Sequence, residues 1–245
     1  MSQSWQYKPL LRPAQVATGL LGLCILSDLV ALIVEVDYHS VLADLEAGID
    51  LPVDEIAAAE DREAFAALGQ LVTYIGAIIA FIVWFRRAYR NTAGLGATGM
   101  RFKPGWAVGS WFVPFLALWR PKQISNDIWR ATDPQLPRHA SGWQGNPVHG
   151  LIHSWWAIWI VAGVLGNIST QVYLRAETLS EQLRASAVSA VADVIFIAAA
   201  ILALLVVRAI TIRQEEREEM LRTNPRPQAP RESQVPPEPQ PMYPV

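Results

Sequence analysis

The sequence predicts an all-α integral membrane protein: four transmembrane helices with an additional re-entrant or interfacial helical segment. Three observations lead there. The chain is 52% hydrophobic and only 17% charged, where soluble domains carry roughly a quarter charged residues. Four mostly apolar runs reach the ~20 residues that a bilayer crossing needs. Lys and Arg gather beyond alternate ends of those runs, which fixes an orientation.

The first run covers 14–36 and follows Lys8 and Arg12 in an N-terminal stretch, 1–13. It begins like a signal peptide but continues past Asp28 to Val36, too long for a signal-peptide core. No small-x-small cleavage site stands out, and Leu23 is bulky where a lipoprotein site needs a small residue before Cys24. The run therefore reads as an uncleaved span. Cys24 is the single cysteine, so no intramolecular disulfide can form.

The remaining spans are expected at 64–85, 154–174 and 185–207, with Trp84, Trp155 and Trp156 near their ends as an interfacial belt requires. Arg86, Arg87, Arg90, Arg101 and Lys103 follow the second span, and Arg208, Arg213 and Arg217 follow the fourth. The connection 37–63 carries nine acids and only Arg62 as a base. Both termini are then expected in the cytoplasm, with the acidic loop outside. Asp54 is the expected N-cap of a helix running into the second span, and the loop's acids read most simply as a solvated helix face.

The sixteen residues 104–119 contain no charge. As a helix they reach only ~24 Å, short of a ~30 Å hydrocarbon core, and Pro114 interrupts them. A crossing here would also put Arg120, Lys122, Arg130 and the C-terminal basic cluster outside. The segment 104–131 is therefore expected to lie on, or dip into, the cytoplasmic leaflet. Its second half reads as an amphipathic helix, with Ile124, Ile128 and Trp129 on one side and Lys122, Asn126 and Arg130 in water. Trp106, Trp111, Pro114, Trp119 and Trp129 mark the segment as a candidate interaction surface.

After the fourth span, 211–223 reads as a charged helix with a Glu218–Arg222 pair. The tail 224–245 is too rich in proline for helix or sheet and is expected to be extended and disordered.

Each span carries a small or polar stripe at helical spacing, expected to face inward. These are Asp28 with Leu21, Cys24 and Glu35; Gly69, Thr73, Gly76 and Ala80 with Gln70 and Tyr74 beside them; Gly163, Gly166, Asn167 and Thr170; and Ser186, Ser189, Ala190, Asp193 and Ala200. Asp28 and Asp193 each fall ~12 Å below the outer boundary at 1.5 Å per residue. Gln70 and Asn167 fall at similar depth. An intramembrane polar layer of Asp28, Gln70, Asn167 and Asp193 is predicted, with no Lys or Arg in it. At least one of the aspartates should then carry a proton, since unpaired charge in low dielectric is avoided by neutralisation. Intramembrane acids mark either a proton or cation site or interhelical hydrogen-bond glue.

Other motifs carry less. "GLGATG" at 94–99 has the spacing of a dinucleotide fingerprint but follows a basic helix end, not a strand. His149 and His153, with His139 upstream, lack the acid or cysteine partners of a metal site. No catalytic constellation is present, so no enzyme, cofactor or metal is expected, and a net charge of −2 speaks against a nucleic-acid partner.

The quoted stretches "AAEDREAF", "FIVWFRRAYRNTAGLG", "RFKPGWAVGSWFVPFLALWRPKQISNDIWRATDP" and "SWWAIW" resemble an uncharacterised bacterial membrane family, catalogued as domain of unknown function 4328. The resemblance covers about 64–213 and implies a small multi-span protein with a proline-rich cytosolic extension. It implies no activity. The leading functional expectation is a non-enzymatic membrane scaffold or interaction protein, in contact with the lipid bilayer and with protein partners through the cytoplasmic segment and the tail. The alternative is a small proton-linked transporter or channel using Asp28 and Asp193.

Overall fold

The computed structural model describes residues 6–136 and 142–223. The proline-rich tail and His139 lie outside them. Four helices are long and apolar enough to cross a membrane: α1 (Leu11–Glu46), α2 (Val53–Gly94), α5 (Gly150–Tyr173) and α6 (Leu179–Thr223). Two shorter helices, α3 (Trp106–Gly109) and α4 (Arg120–Ala131), lie between α2 and α5. No strand occurs among the described residues.

α1 is the centre of the bundle, packed lengthwise against both α2 and α6. Its sequence explains why. Ala14, Ala17, Leu21, Cys24, Asp28, Ala31 and Glu35 are its buried residues through the span. Their spacing alternates three and four, a narrow seam of period 3.5. Most of the seam is small, so neighbouring backbones approach closely and gain van der Waals contact where lipid supplies no hydrophobic drive. Leu26, Val30 and Ile33 point the other way and are exposed, as a lipid-facing surface should be. α6 repeats the pattern with Ala185, Ala192, Ala199, Ala203, Val206 and Ile210.

α5 packs on α6, while α2 and α5 are bridged by aromatic side chains. Phe81, Trp84 and Phe85 of α2 meet Trp155, Trp156 and Trp159 of α5 through Trp111, which stands edge-on to Phe81 at 5.8 Å and to Trp159 at 5.4 Å. Edge-to-face pairs add roughly 0.5–1.5 kcal/mol each beyond the area they bury.

Residues 104–119 do not cross. They form the four-residue α3, a reversal at Phe115 (φ 62°) and a 3-10 turn at Leu116–Leu118. Pro114 and the non-glycine left-handed backbone beside it prevent a continuous helix. Trp111 enters the bundle at the level of Phe81 and Trp159, whereas Phe112 and Phe115 stay exposed. The segment is thus a wedge whose base fills the opening between α2 and α5. The four tryptophans expected on one surface do not share one. Trp111 is packed among rings, Arg120 lies over Trp106 at 5.0 Å, Arg213 lies over Trp129 at 4.4 Å, and Trp119 is exposed along with Pro114.

α4 is amphipathic, but Ile124 and Ile128 are buried against the bundle, so the helix caps the basic end. Arg130 Nε donates to the Asn146 carbonyl at 2.7 Å and does not reach into water as expected. Arg213 joins the cap by pairing with Asp133 at 3.0 Å. Past the membrane, Asn91 Nδ2 donates to Gln214 Oε1 at 3.1 Å and Gln214 Nε2 to the Ala88 carbonyl at 2.9 Å, joining α2 to α6.

At the acidic end, most of the expected loop 37–63 is helix. α1 runs to Glu46 and α2 begins at Val53, with Pro52 and not Asp54 as its N-cap. Arg62 pairs with Asp37 across the two extensions at 2.6 Å. The charged helix 211–223 is the continuation of α6, and Arg222 pairs with Glu219 one turn back in place of the expected Glu218.

Single cysteines at Gln123 and Gly145, in a Cys24→Ala background, should react with an impermeant thiol reagent from the same side of sealed vesicles. A cysteine at Asp50 should react only from the opposite side. Labelling of 123 and 50 from one side contradicts the four-span topology.

Candidate intramembrane carboxylate site

Three helices bring Asp28, Gln70 and Asp193 to one level. Gln70 of α2 uses its side-chain amide nitrogen twice, donating to Asp28 Oδ1 at 3.2 Å and to Asp193 Oδ1 at 2.9 Å. An amide NH2 has two hydrogens, so both bonds can exist at once. Tyr74, one turn further along α2, donates its hydroxyl to Asp28 Oδ1. Asp28 is fully buried, and its Oδ2 has no hydrogen-bond partner among the described residues. Asp193 is 9% exposed.

No Lys or Arg forms an ion pair with either aspartate among the described residues. Two carboxylates held by one amide in a low dielectric cannot both stay charged without a counter-charge. A proton or a small monovalent cation supplies one. No group of three His, Cys, Asp or Glu side chains among the described residues is close enough to hold a metal ion.

Towards the acidic end the α1 seam carries a second buried acid. Glu35 lies two turns from Asp28 on the α1 seam and is 8% exposed. It lines a cleft of about 180 Å³ together with Glu63, Tyr38, Tyr173 and Ser186. His39 Nδ1 and Ser186 Oγ lie 2.6 Å apart at its rim. Towards the basic end, Ser27 and Thr73 hydroxyls meet at 2.9 Å, and the aromatic cluster then closes the bundle. Glu35 and Asp28 are thus on one buried helix face, two turns apart, with Ala31 between them.

The structure brings together three of the four residues of the predicted layer, Asp28, Gln70 and Asp193. Asn167 does not join it: the residue is exposed on α5, as are Gly163 and Thr170. α5 turns its tryptophans inward because the gap to α2 is wide, and it meets α6 through Gly166 under Phe196 and through Ser169, whose hydroxyl is 2.9 Å from that of Ser189. Gly69 of α2 is likewise exposed. Tyr74 is the ligand of Asp28 that depth alone did not single out; its position one turn from Gln70 was the available signal.

A further buried acid sits outside the membrane spans. Asp127 of α4 is fully buried, with Arg101 3.5 Å away. Burial pushes its carboxyl up to about 6, against the pull of Arg101 and Arg130. Nothing in the 121–131 pattern separated Asp127 from its solvated neighbours.

The glycine-rich stretch 94–99 follows helix α2 with no strand before it, and Gly96 and Gly99 take left-handed backbone as turn residues. His149 caps α5, its Nδ1 accepting the Leu151 backbone N–H at 3.1 Å.

Four long apolar helices around a buried carboxylate pair define a multi-pass membrane protein. A family model described as a domain of unknown function (DUF4328) matches residues 48–212, and the chain belongs to that family. Gln70, Tyr74 and Asp193 lie inside the matched stretch and Asp28 before it. No curated protein and no solved structure matches the chain.

Proposed function

We propose that the protein is a small proton-linked transporter or channel of a bacterial plasma membrane, with the Asp28–Gln70–Asp193 bridge as its proton site. The observation that carries this reading is Asp28 Oδ2. It is a fully buried carboxylate oxygen without a hydrogen-bond partner among the described residues, in a pair that no described Lys or Arg bridges. Interhelical glue alone would favour a neutral amide, which joins helices without the cost of a buried charge. Glu35 and the acidic cleft form the entry side, and the acids of 37–63 concentrate cations around it. By the positive-inside rule the basic end, with both termini, faces the cytoplasm. No covalent transformation is part of this reading.

In proteoliposomes with an entrapped pH dye, the protein should dissipate an imposed pH gradient faster than empty vesicles do. Asp28→Asn should slow that flux by roughly tenfold or more, since it removes the titrating group while keeping the shape. Asp193→Asn should do the same, and Glu35→Gln should have a smaller effect. Equal flux through wild type and folded Asp28→Asn would sink the proposal.

A second reading, an interaction protein, is favoured by the exposed face of α5. Asn167 lies mid-span with Gly163 and Thr170 on the same outward stripe. A polar amide facing lipid is costly, and a helix bearing small residues on either side of it suits close packing against another helix. In this reading the tail 224–245 and the cytoplasmic segment contact further proteins. An Asn167→Cys variant should form a disulfide-linked dimer in native membranes under mild oxidation, while Leu205→Cys on α6 should not. Equal cross-linking at both positions would mean random collision.

A further inference from the structure

At the basic end a second cavity, of about 330 Å³, opens between the N-terminal segment, α2 and the start of the wedge. Lys8, Arg86, Arg87 and Arg90 line it together with the apolar Val83 and Val108. No carboxylate lines it among the described residues. Lys8, Arg86 and Arg87 concentrate positive charge in one cavity, which favours an anion there.

The walls are built and fixed. Lys8 N donates to Asn91 Oδ1 at 3.1 Å, and Asn91 Nδ2 returns a bond to the Lys8 carbonyl at 2.9 Å. Leu10 N donates to Glu215 Oε1 at 3.1 Å. Arg87 Nη1 donates to the Pro9 carbonyl at 3.4 Å. The backbone of the N-terminal segment is thus held against α2 and α6, which keeps Lys8 in the same lining as the arginines.

Chemistry and position together select the ligand. Guanidinium groups recognise phosphate oxygens bidentately. The cations occur where α2 leaves its apolar span, and Val83, 53% exposed, continues the lining into that span. A soluble phosphate would have no use for the apolar wall, whereas a phospholipid presents a phosphate and an acyl chain in that order. We infer that this cavity binds the phosphate headgroup of an anionic phospholipid, with its acyl chain along Val83 and Val108.

The test uses the full chain in detergent, titrated with phosphatidylglycerol or phosphatidylcholine and read by native mass spectrometry. Wild type should retain phosphatidylglycerol in preference to phosphatidylcholine. The double variant Lys8→Gln/Arg86→Gln should lose roughly tenfold of that affinity; both side chains are exposed, so folding is not at stake. Lys103→Gln/Arg208→Gln removes the same charge from exposed positions outside the cavity and should change nothing. The inference is overturned if the first double variant keeps its preference or if the control loses as much. It is also overturned if glycerol 3-phosphate alone displaces phosphatidylglycerol completely, which would assign the cavity to a soluble phosphate.

Discussion

The bundle turns on one amide. Gln70 donates to carboxylates on two different helices, and through it α1, α2 and α6 are locked at a common depth. Among the described residues no other side chain bonds to both of the other two helices inside the span, although Ser27–Thr73 and Tyr74–Asp28 also tie α1 to α2. From Ala14 to Ala31 the α1 seam is otherwise made of alanine, leucine and cysteine, residues that slide past one another at little cost. Register in such a seam needs a polar contact that fits in one position only. Asp28 supplies it, and the same contact leaves Asp28 Oδ2 without a partner. Structure and proposed function thus rest on the same atoms.

The two ends of the bundle are built differently, and the difference gives the site a direction. The acidic end is loosely closed: α1 and α2 extend beyond the span and enclose a cleft that reaches Glu35. The basic end is sealed by aromatic rings, by α4, and by the Asn91–Gln214 contact. On the proposed reading, a proton arriving from the acidic side would meet Glu35 before Asp193 and Asp28, with the aromatic cluster beyond them. On the same reading, transport would require the Trp111 wedge to shift, because Trp111 stands between α2 and α5. Its neighbours Pro114 and Phe115 break the backbone there, so the wedge is joined to the bundle by packing and not by a continuous helix.

Much of this was legible in the sequence, for identifiable reasons. The positions of Asp28 and Asp193 followed from span boundaries and a fixed rise per residue. The failure of 104–119 to cross followed from its length, Pro114 and the basic residues on both sides. The inward side of α5 was not legible. Its small stripe and its tryptophan stripe are both regular, and the rule that small residues face neighbours selects the wrong one. The rule assumes close helices, whereas the wedge holds α2 and α5 apart and large rings fill the space. Asp127 was hidden for a related reason: the wheel of α4 places it beside polar residues, and only the packing of 95–136 over it buries it.

The central claim is that Asp28 exchanges a proton inside the bundle. Infrared difference spectroscopy of the reconstituted protein over a pH series observes that directly, through the carbonyl stretch of a protonated carboxyl in an apolar setting. The account predicts a high-frequency carboxyl band that titrates with pH, disappears in Asp28→Asn and shifts in Gln70→Leu, where its hydrogen-bond donor is gone. A spectrum without a titrating carboxyl band, or one that Asp28→Asn leaves unchanged, would contradict it.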